Sequence, residues 1–157
     1  MKKLIFAVAV MLTVGLTSAS AQELKLGAHA GIPVGDVSDA SDFTLGASLS
    51  YLWSPAGIFK VGPKVGYEHF FVKSDYGDDF SFLPIAAEGR VALGDAVFVG
   101  LDLGYGIGVS NGNDGGFYYS PKLGFGFMGL KVVGSYSGIS MNGGTVSAVT
   151  AGLEFGL

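Results

Sequence analysis

The stretch "VFVGLDLGYGIG", residues 97–108, alternates with a period of two and sorts its residues by size as well as by polarity. Val97, Val99, Leu101, Leu103, Tyr105 and Ile107 fall on one face of an extended strand, and Gly100, Asp102, Gly104, Gly106 and Gly108 on the other. Working outward, strand after strand repeats the scheme. Phe43, Leu45, Ala47, Leu49, Tyr51 and Trp53 oppose Thr44, Gly46, Ser48 and Ser50. Phe59, Val61, Val65, Tyr67 and Phe71 oppose Lys60, Gly62, Lys64, Gly66 and Glu68. Phe117, Tyr119, Leu123, Phe125 and Phe127 oppose Ser120, Lys122, Gly124 and Gly126. The charged strand residues all lie on the second face.

Turn chemistry divides the chain into eight such runs, at 23–33, 43–53, 58–72, 80–93, 96–109, 117–128, 130–138 and 145–157. The connections alternate in kind. "SPAG" (54–57), "GD" (94–95) and the turn at Gly129 are short; 34–42, 73–79, 110–116 and "ISMNGG" (139–144) are longer and polar. This pattern predicts an all-β, up-and-down antiparallel barrel of eight strands, with both chain ends on the short-turn side.

Alternation alone fits a barrel with an apolar lumen, a lipocalin-like carrier, equally well. Side-chain volume separates the two, because the interior of eight strands is just wide enough for side chains to fill. The charge-free face is bulky and the charge-bearing face is mostly Gly, Ala and Ser, so the small face belongs inside. A closed barrel with a bulky apolar exterior exceeds the patch size that a water-exposed monomer tolerates, and it is what lipid requires of a transmembrane β-barrel.

The beginning of the chain agrees. "MKK", the apolar run "LIFAVAVMLTVGL" and "TSASA" form an export signal, residues 1–21, with cleavage expected before Gln22 and residues 22–157 as one barrel domain without an appended periplasmic domain. The apolar run is shorter than the ~20 residues a spanning helix needs. Loss of Lys2 and Lys3 leaves seven cations against thirteen anions, a net of −6, which argues against a nucleic-acid partner. No cysteine is present, so neither lipid attachment nor disulfides enter.

At the other end, "VTAGLEFGL" (149–157) closes on alternating apolar residues, and Gly152, Phe155 and Leu157 resemble the C-terminal assembly signal that the barrel assembly machinery of bacterial outer membranes reads. The chain departs from that signal in ending on Leu and in having Ala151 where a polar residue is usual. Together with "GPKVGYEHFFV" and "FLPIAAEGRVAL" in the third and fourth strands, the mature chain resembles the small porin-type outer-membrane β-barrel family common in Bacteroidetes. The resemblance implies a monomer in the outer membrane of a Gram-negative cell, with lipid and lipopolysaccharide as its surroundings and no cofactor.

Two aromatic girdles are expected at the membrane interfaces, Trp53, Phe59, Phe127 and Phe155 toward the short turns and Tyr67, Phe71, Tyr105, Phe117 and Tyr119 toward the long loops. Inside, Lys25, Lys60, Lys64, Glu68, Glu88, Arg90, Asp102, Lys122, Lys131 and Glu154, with Glu23, make six positive and five negative charges, a balance that predicts ion pairs and a closed polar lumen. A narrow channel is the alternative. The acidic loops, Asp75, Asp78 and Asp79 above all, are weak candidates for divalent cations or for an extracellular ligand.

Enzyme chemistry is not expected of this chain. Pairing the third and fourth strands nevertheless brings His69 and Ser81 together on the outer face with Asp79 nearby, a conceivable acyl-transfer group similar to that of outer-membrane lipid A deacylases, though those place His and Ser two apart on one strand. "GFGFMG" (124–129) matches a dinucleotide-binding fingerprint, but strand rather than helix follows it, so it carries no such function.

Overall fold

The structure is a computed structural model, and it describes Lys2 and residues 22–75, 77–109 and 114–157, apart from the side chains of Asp36, Ala56 and Phe127. The expected export signal therefore lies outside the described residues, except for Lys2. The strands are β1 (Gln22–Val34), β2 (Ser41–Ala56), β3 (Phe59–Val72), β4 (Phe80–Ala92), β5 (Val97–Gly108), β6 (Gly116–Phe127), β7 (Leu130–Met141) and β8 (Gly144–Gly156). A single 3-10 turn, Gly35–Val37, joins β1 to β2. Each strand pairs antiparallel with the next, and β1 pairs β8 from Lys25↔Gly156 to Val34↔Ser147, so the sheet closes on itself. Closure removes both sheet edges, which matters in a medium that cannot hydrogen-bond a free edge. The shortest strands have 12 residues, above the ~9–11 that cross a bilayer.

The bulky face looks outward. Leu45, Leu101, Leu103, Leu123, Val132 and Leu153 are 43–56% exposed around the circumference. The arrangement with inverted faces, an apolar lumen inside a polar coat, is thereby overturned. Charges turn inward on the other face: Glu88, Arg90 and Asp102 are at most 3% exposed.

Two sequence expectations need correction. The segment 139–144 is not a long loop: β7 runs to Met141, β8 starts at Gly144, and only Asn142 and Gly143 lie between them. An Asn-Gly pair is a strong two-residue hairpin signal, and burial of Ile139 inside the barrel draws the strand onward. The lumen is also not polar throughout. At its long-loop end Phe70, Phe82, Tyr118, Ile139 and Val146 pack into an apolar plug, with Phe80 stacked on Phe70 at 4.9 Å. These residues share parity with the lumen charges, so their inward direction was readable. Part of their bulk fits because a glycine faces it on the inner wall: a Cβ on Gly106 would stand 3.0 Å from Ile139 Cδ1.

The β6–β7 turn carries local strain. Met128 and Gly129 both have positive φ, 56° and 84°, the pair that a two-residue hairpin of right-handed twist requires. Glycine accepts this; methionine pays about 1–2 kcal/mol for it. Met128 is 92% exposed and packs on little that would offset the strain. Met128→Asn is expected to stabilise the barrel by about 0.5–1 kcal/mol, since Asn tolerates that conformation. An unchanged or lowered urea midpoint in micelles would contradict this.

Candidate functional site

The lumen is crossed by one connected set of charges. Arg90 on β4 donates through Nη1 to Glu154 Oε1 at 2.6 Å and through Nη2 to Oε2 at 2.5 Å, a bidentate pair reaching β8 on the opposite wall. Its Nε donates to Glu88, two residues back on the same face of β4. Ser50 Oγ donates to the other Glu88 oxygen at 2.6 Å. Lys122 lies 2.8 Å from Asp102 and 3.4 Å from Glu88, and Lys64 donates to Asp102 Oδ2 at 2.6 Å. Charges taken out of water must be paired and hydrogen-bonded in this way, or the fold would lose several kcal/mol for each one left alone.

The remaining inner residues fall at the two ends of this set. Toward the short turns, Glu23 receives Lys60 at 2.7 Å and Lys25 at 2.9 Å. There Lys131 and Arg90 lie over the Phe98 ring, at 4.9 and 4.2 Å from its centre. Toward the apolar plug, His29 Nε2 meets Glu68 Oε1 at 2.9 Å, and Gly46 makes the space for it: a Cβ there would come within 2.3 Å of Nε2. Between them lies a polar cavity of about 40 Å³ lined by His29, Lys64, Glu68, Tyr118, Lys122 and Glu154, room for water only. The inner apolar groups Phe98 and Leu52 were not singled out from the sequence. The sole signal was their parity with the charges.

On the outer face, Trp53, Phe59, Phe155, Tyr67, Tyr105 and Phe117 are 42–54% exposed, and Phe71 and Tyr119 half-buried. The side chain of Phe127 lies outside the described residues. Phe43 and Phe71 stack at 4.3 Å across β2 and β3. At the chain end, Phe155 pairs with Leu26 and Leu130, Gly152 with His29 and Val133, and the Leu157 amide donates to Leu24 O at 2.8 Å. The proposed assembly residues therefore form part of the seam where the last strand meets the first.

Among the loop acids, Asp75 and Asp78 are exposed, and no cluster of three or more potential metal ligands occurs among the described residues. Asp79 is engaged otherwise. Its Oδ1 accepts the Val72 amide at 2.8 Å and its Oδ2 lies 3.3 Å from His69 Nε2. The Val72 amide holds the Asp79 carboxyl below the usual carboxylate range, with His69 adding to the effect. A folded-state value below the unfolded one stabilises the β3–β4 turn above the ordinary Asp range, near pH 4, and that contribution disappears as pH falls through the depressed value. The Val72 amide resonance is expected to report Asp79 titration below pH 4 and to lose that step in Asp79→Asn.

Register places His69 opposite Ser81, as the pairing of the two strands required. Ser81 Oγ and His69 Nδ1 are 2.6 Å apart, and the Tyr67 hydroxyl donates to Ser81 Oγ at 2.9 Å. The His69 ring is set between Tyr67, stacked at 6.4 Å, and Phe71, edge-on at 4.5 Å.

An eight-stranded antiparallel barrel, closed, apolar outside and ion-paired within, has the fold of small outer-membrane barrels. Ail, the attachment invasion locus protein of Yersinia pestis, in a crystal structure with the heparin analogue sucrose octasulfate, aligns at a TM-score of 0.60 and 16% identity over 87% of this chain and 97% of Ail. Neisserial surface protein A aligns at 0.54 and 13% identity over 88% of this chain and 98% of its own. A de novo designed transmembrane β-barrel aligns at 0.56 and 9% identity over 90% of this chain and all of its own. No family model matches the sequence, and no curated protein matches it either. At these identities the likeness is one of fold.

Proposed function

We propose that this chain is an exported, integral outer-membrane barrel of the porin-type Bacteroidetes kind its motifs resemble, and that its work is done on its outer face and loops rather than through its lumen. The observation that carries this reading is the Arg90–Glu154 pair. It ties opposite walls together at 2.5–2.6 Å with both side chains at least nine-tenths buried, beneath an apolar plug. A diffusion path needs an aqueous lumen, which belongs to barrels of about sixteen strands. The reconstituted barrel is therefore expected to give no single-channel openings in a planar bilayer; regular ohmic steps would favour a narrow channel instead.

The outer leaflet, lipopolysaccharide and the barrel assembly machinery are the partners this reading implies, for a monomer whose signal is removed before Gln22. N-terminal sequencing of protein from the outer-membrane fraction tests that last point. Among surface ligands, charge selects. Ail is known in complex with a heparin analogue, a polyanion. Here the loops carry Asp39, Asp75, Asp78 and Asp114 and the start of β2 carries Asp42, all exposed, with Lys73 nearby and 3.6 Å from Asp42. Such loops favour a cationic or cation-bridged partner and repel a polyanion.

A further inference from the structure

Ser81, His69 and Asp79 have the connectivity of an acyl-transfer site. With its ring proton on Nε2, His69 donates to Asp79 Oδ2 at 3.3 Å and turns the Nδ1 lone pair toward Ser81 Oγ–H at 2.6 Å. Nucleophile, base and orienting carboxylate are thus in series, with the two ring nitrogens sharing the roles that the chemistry requires. Asp79 is itself fixed, because the Val72 amide holds its other oxygen at 2.8 Å. The Tyr67 hydroxyl, 2.9 Å from Ser81 Oγ, is a hydrogen-bond donor beside the reacting atom. A carbonyl that displaces it from Oγ gains a donor for its own oxygen.

The surroundings state the substrate's shape. The group lies on the outer face at the long-loop end, beside the girdle residues Tyr67 and Phe71 on β3, at the height where water and an acyl chain meet. Ser81 is only 5% exposed, its hydroxyl held between the Tyr67 hydroxyl and His69 Nδ1 rather than open to bulk water. On the same strands runs an apolar groove of about 420 Å³, lined by Leu49, Pro63, Val65, Ile85, Ala87 and Leu103. It exists because Pro63 faces Ala87 across the β3–β4 ladder, where small side chains leave the wall low. Ile85 stands four residues along β4 from Ser81, roughly 13 Å at ~3.3 Å per residue, toward the membrane interior. An acyl chain whose ester carbonyl sits at Ser81 would run down the barrel wall into this groove.

We propose that Ser81, His69 and Asp79 form an interfacial hydrolase site for an ester-linked acyl chain of an outer-leaflet lipid. Ser81 Oγ gives its proton to His69 Nδ1 and bonds to the ester carbonyl carbon. The tetrahedral adduct collapses, the C–O bond to the alcohol breaks, and the alcohol leaves with the proton from His69. A water molecule then passes a proton to Nδ1 and attacks the acyl-Ser81 carbon. The free fatty acid departs and the proton returns to Oγ. Ester and water become acid and alcohol with no other reactant. Ser81 and His69 are the catalytic residues, and Asp79 is a positioning residue acting through His69. The proposal rests on the membrane reading above.

The test uses the protein expressed from its full sequence and extracted from membranes in nonionic detergent. It is incubated with a fluorophosphonate probe, and separately with micelles containing phosphatidylethanolamine or lipopolysaccharide, with free fatty acid as the readout. Expected are a covalent adduct located to Ser81 and fatty acid release from at least one lipid. Both should fall about 100-fold or more in Ser81→Ala and in His69→Gln, the scale of losing a nucleophile or its base. Asp79→Asn should lower the rate about 10-fold or more and change its pH profile, with partial rescue by Asp79→Glu. Release from one lipid alone identifies the source of the acyl ester. Boiled and unboiled gel mobility reports folding of every variant, with His69→Gln as the second variant should Ser81→Ala fail to insert. A folded barrel that gives no Ser81 adduct and no release from either lipid overturns the proposal, as does release that persists in folded Ser81→Ala. A wild-type protein with no heat-dependent mobility overturns the membrane reading, and the hydrolase with it.

Discussion

Arg90→Met is expected to destabilise the folded barrel by about 3–5 kcal/mol, the penalty of leaving a buried opposite charge without its partner. The substitution strands Glu88 and Glu154 together, both buried, one of them fully. Lys122 does not relieve them, since it stands 3.4 Å from Glu88 and is committed to Asp102. Arg90→Lys should recover little, because an ammonium cannot reproduce the fork that meets Glu154 through two nitrogens and Glu88 through a third. Replacing Arg90 and Glu154 together by Met and Leu should restore most of the loss, because the buried charges that remain, Lys64 and Lys122 with Glu88 and Asp102, balance. Urea-induced unfolding in micelles measures all three variants. A single Arg90→Met with a wild-type midpoint would show that the lumen is wet enough to solvate both carboxylates, and would reopen the channel reading.

Leu101→Arg is the second large effect. Leu101 is on the outer face near the middle of β5, 43% exposed, with Gly89 and Pro121 beside it on the neighbouring strands. If that face meets lipid at the bilayer midplane, a guanidinium there costs about 2–4 kcal/mol of insertion free energy, falling to about 0–1 near the interfaces. The same change at Phe59, near the short-turn girdle, is expected to cost much less, so the depth gradient as well as the absolute effect is diagnostic. Equal, small effects at both positions would falsify the assignment of this face to lipid. One arginine is required and the other excluded, at positions 90 and 101 on the two faces of the same wall.

The two predictions bear on function together. If Arg90 holds the lumen shut, as the first of them tests, the exterior is left as the place where the chain can act. The exterior is apolar at mid-height, aromatic at its rims and acidic at its loops. The Ser81–His69–Asp79 group proposed as a hydrolase lies at the rim between the last two of these zones, where an ester carbonyl and its acyl chain would both be at hand.

Much of the architecture could be read directly from residue order. In "VFVGLDLGYGIG" the alternation of large apolar and small residues specified a strand, its two faces and which of them looks outward, because strand side chains alternate sides with no intermediate choice. Eight such runs with alternating short and long connections specified the barrel. The charges on the inner parity were legible for the same reason, and so was the facing of His69 and Ser81 across one hairpin, a local register set by a single turn.

Only the tertiary structure decided which charges pair. Arg90 meets Glu154 across the lumen, 64 positions along the chain, because barrel closure brings β4 and β8 to opposite walls within one side chain's reach. It also decided that Phe70, Phe82, Tyr118 and Ile139 share one apolar plug, and that Asp79 turns to His69 instead of joining the other loop acids. Periodicity assigns a residue to a face, but which partners stand across the lumen depends on strand stagger and closure, and these are properties of the whole sheet.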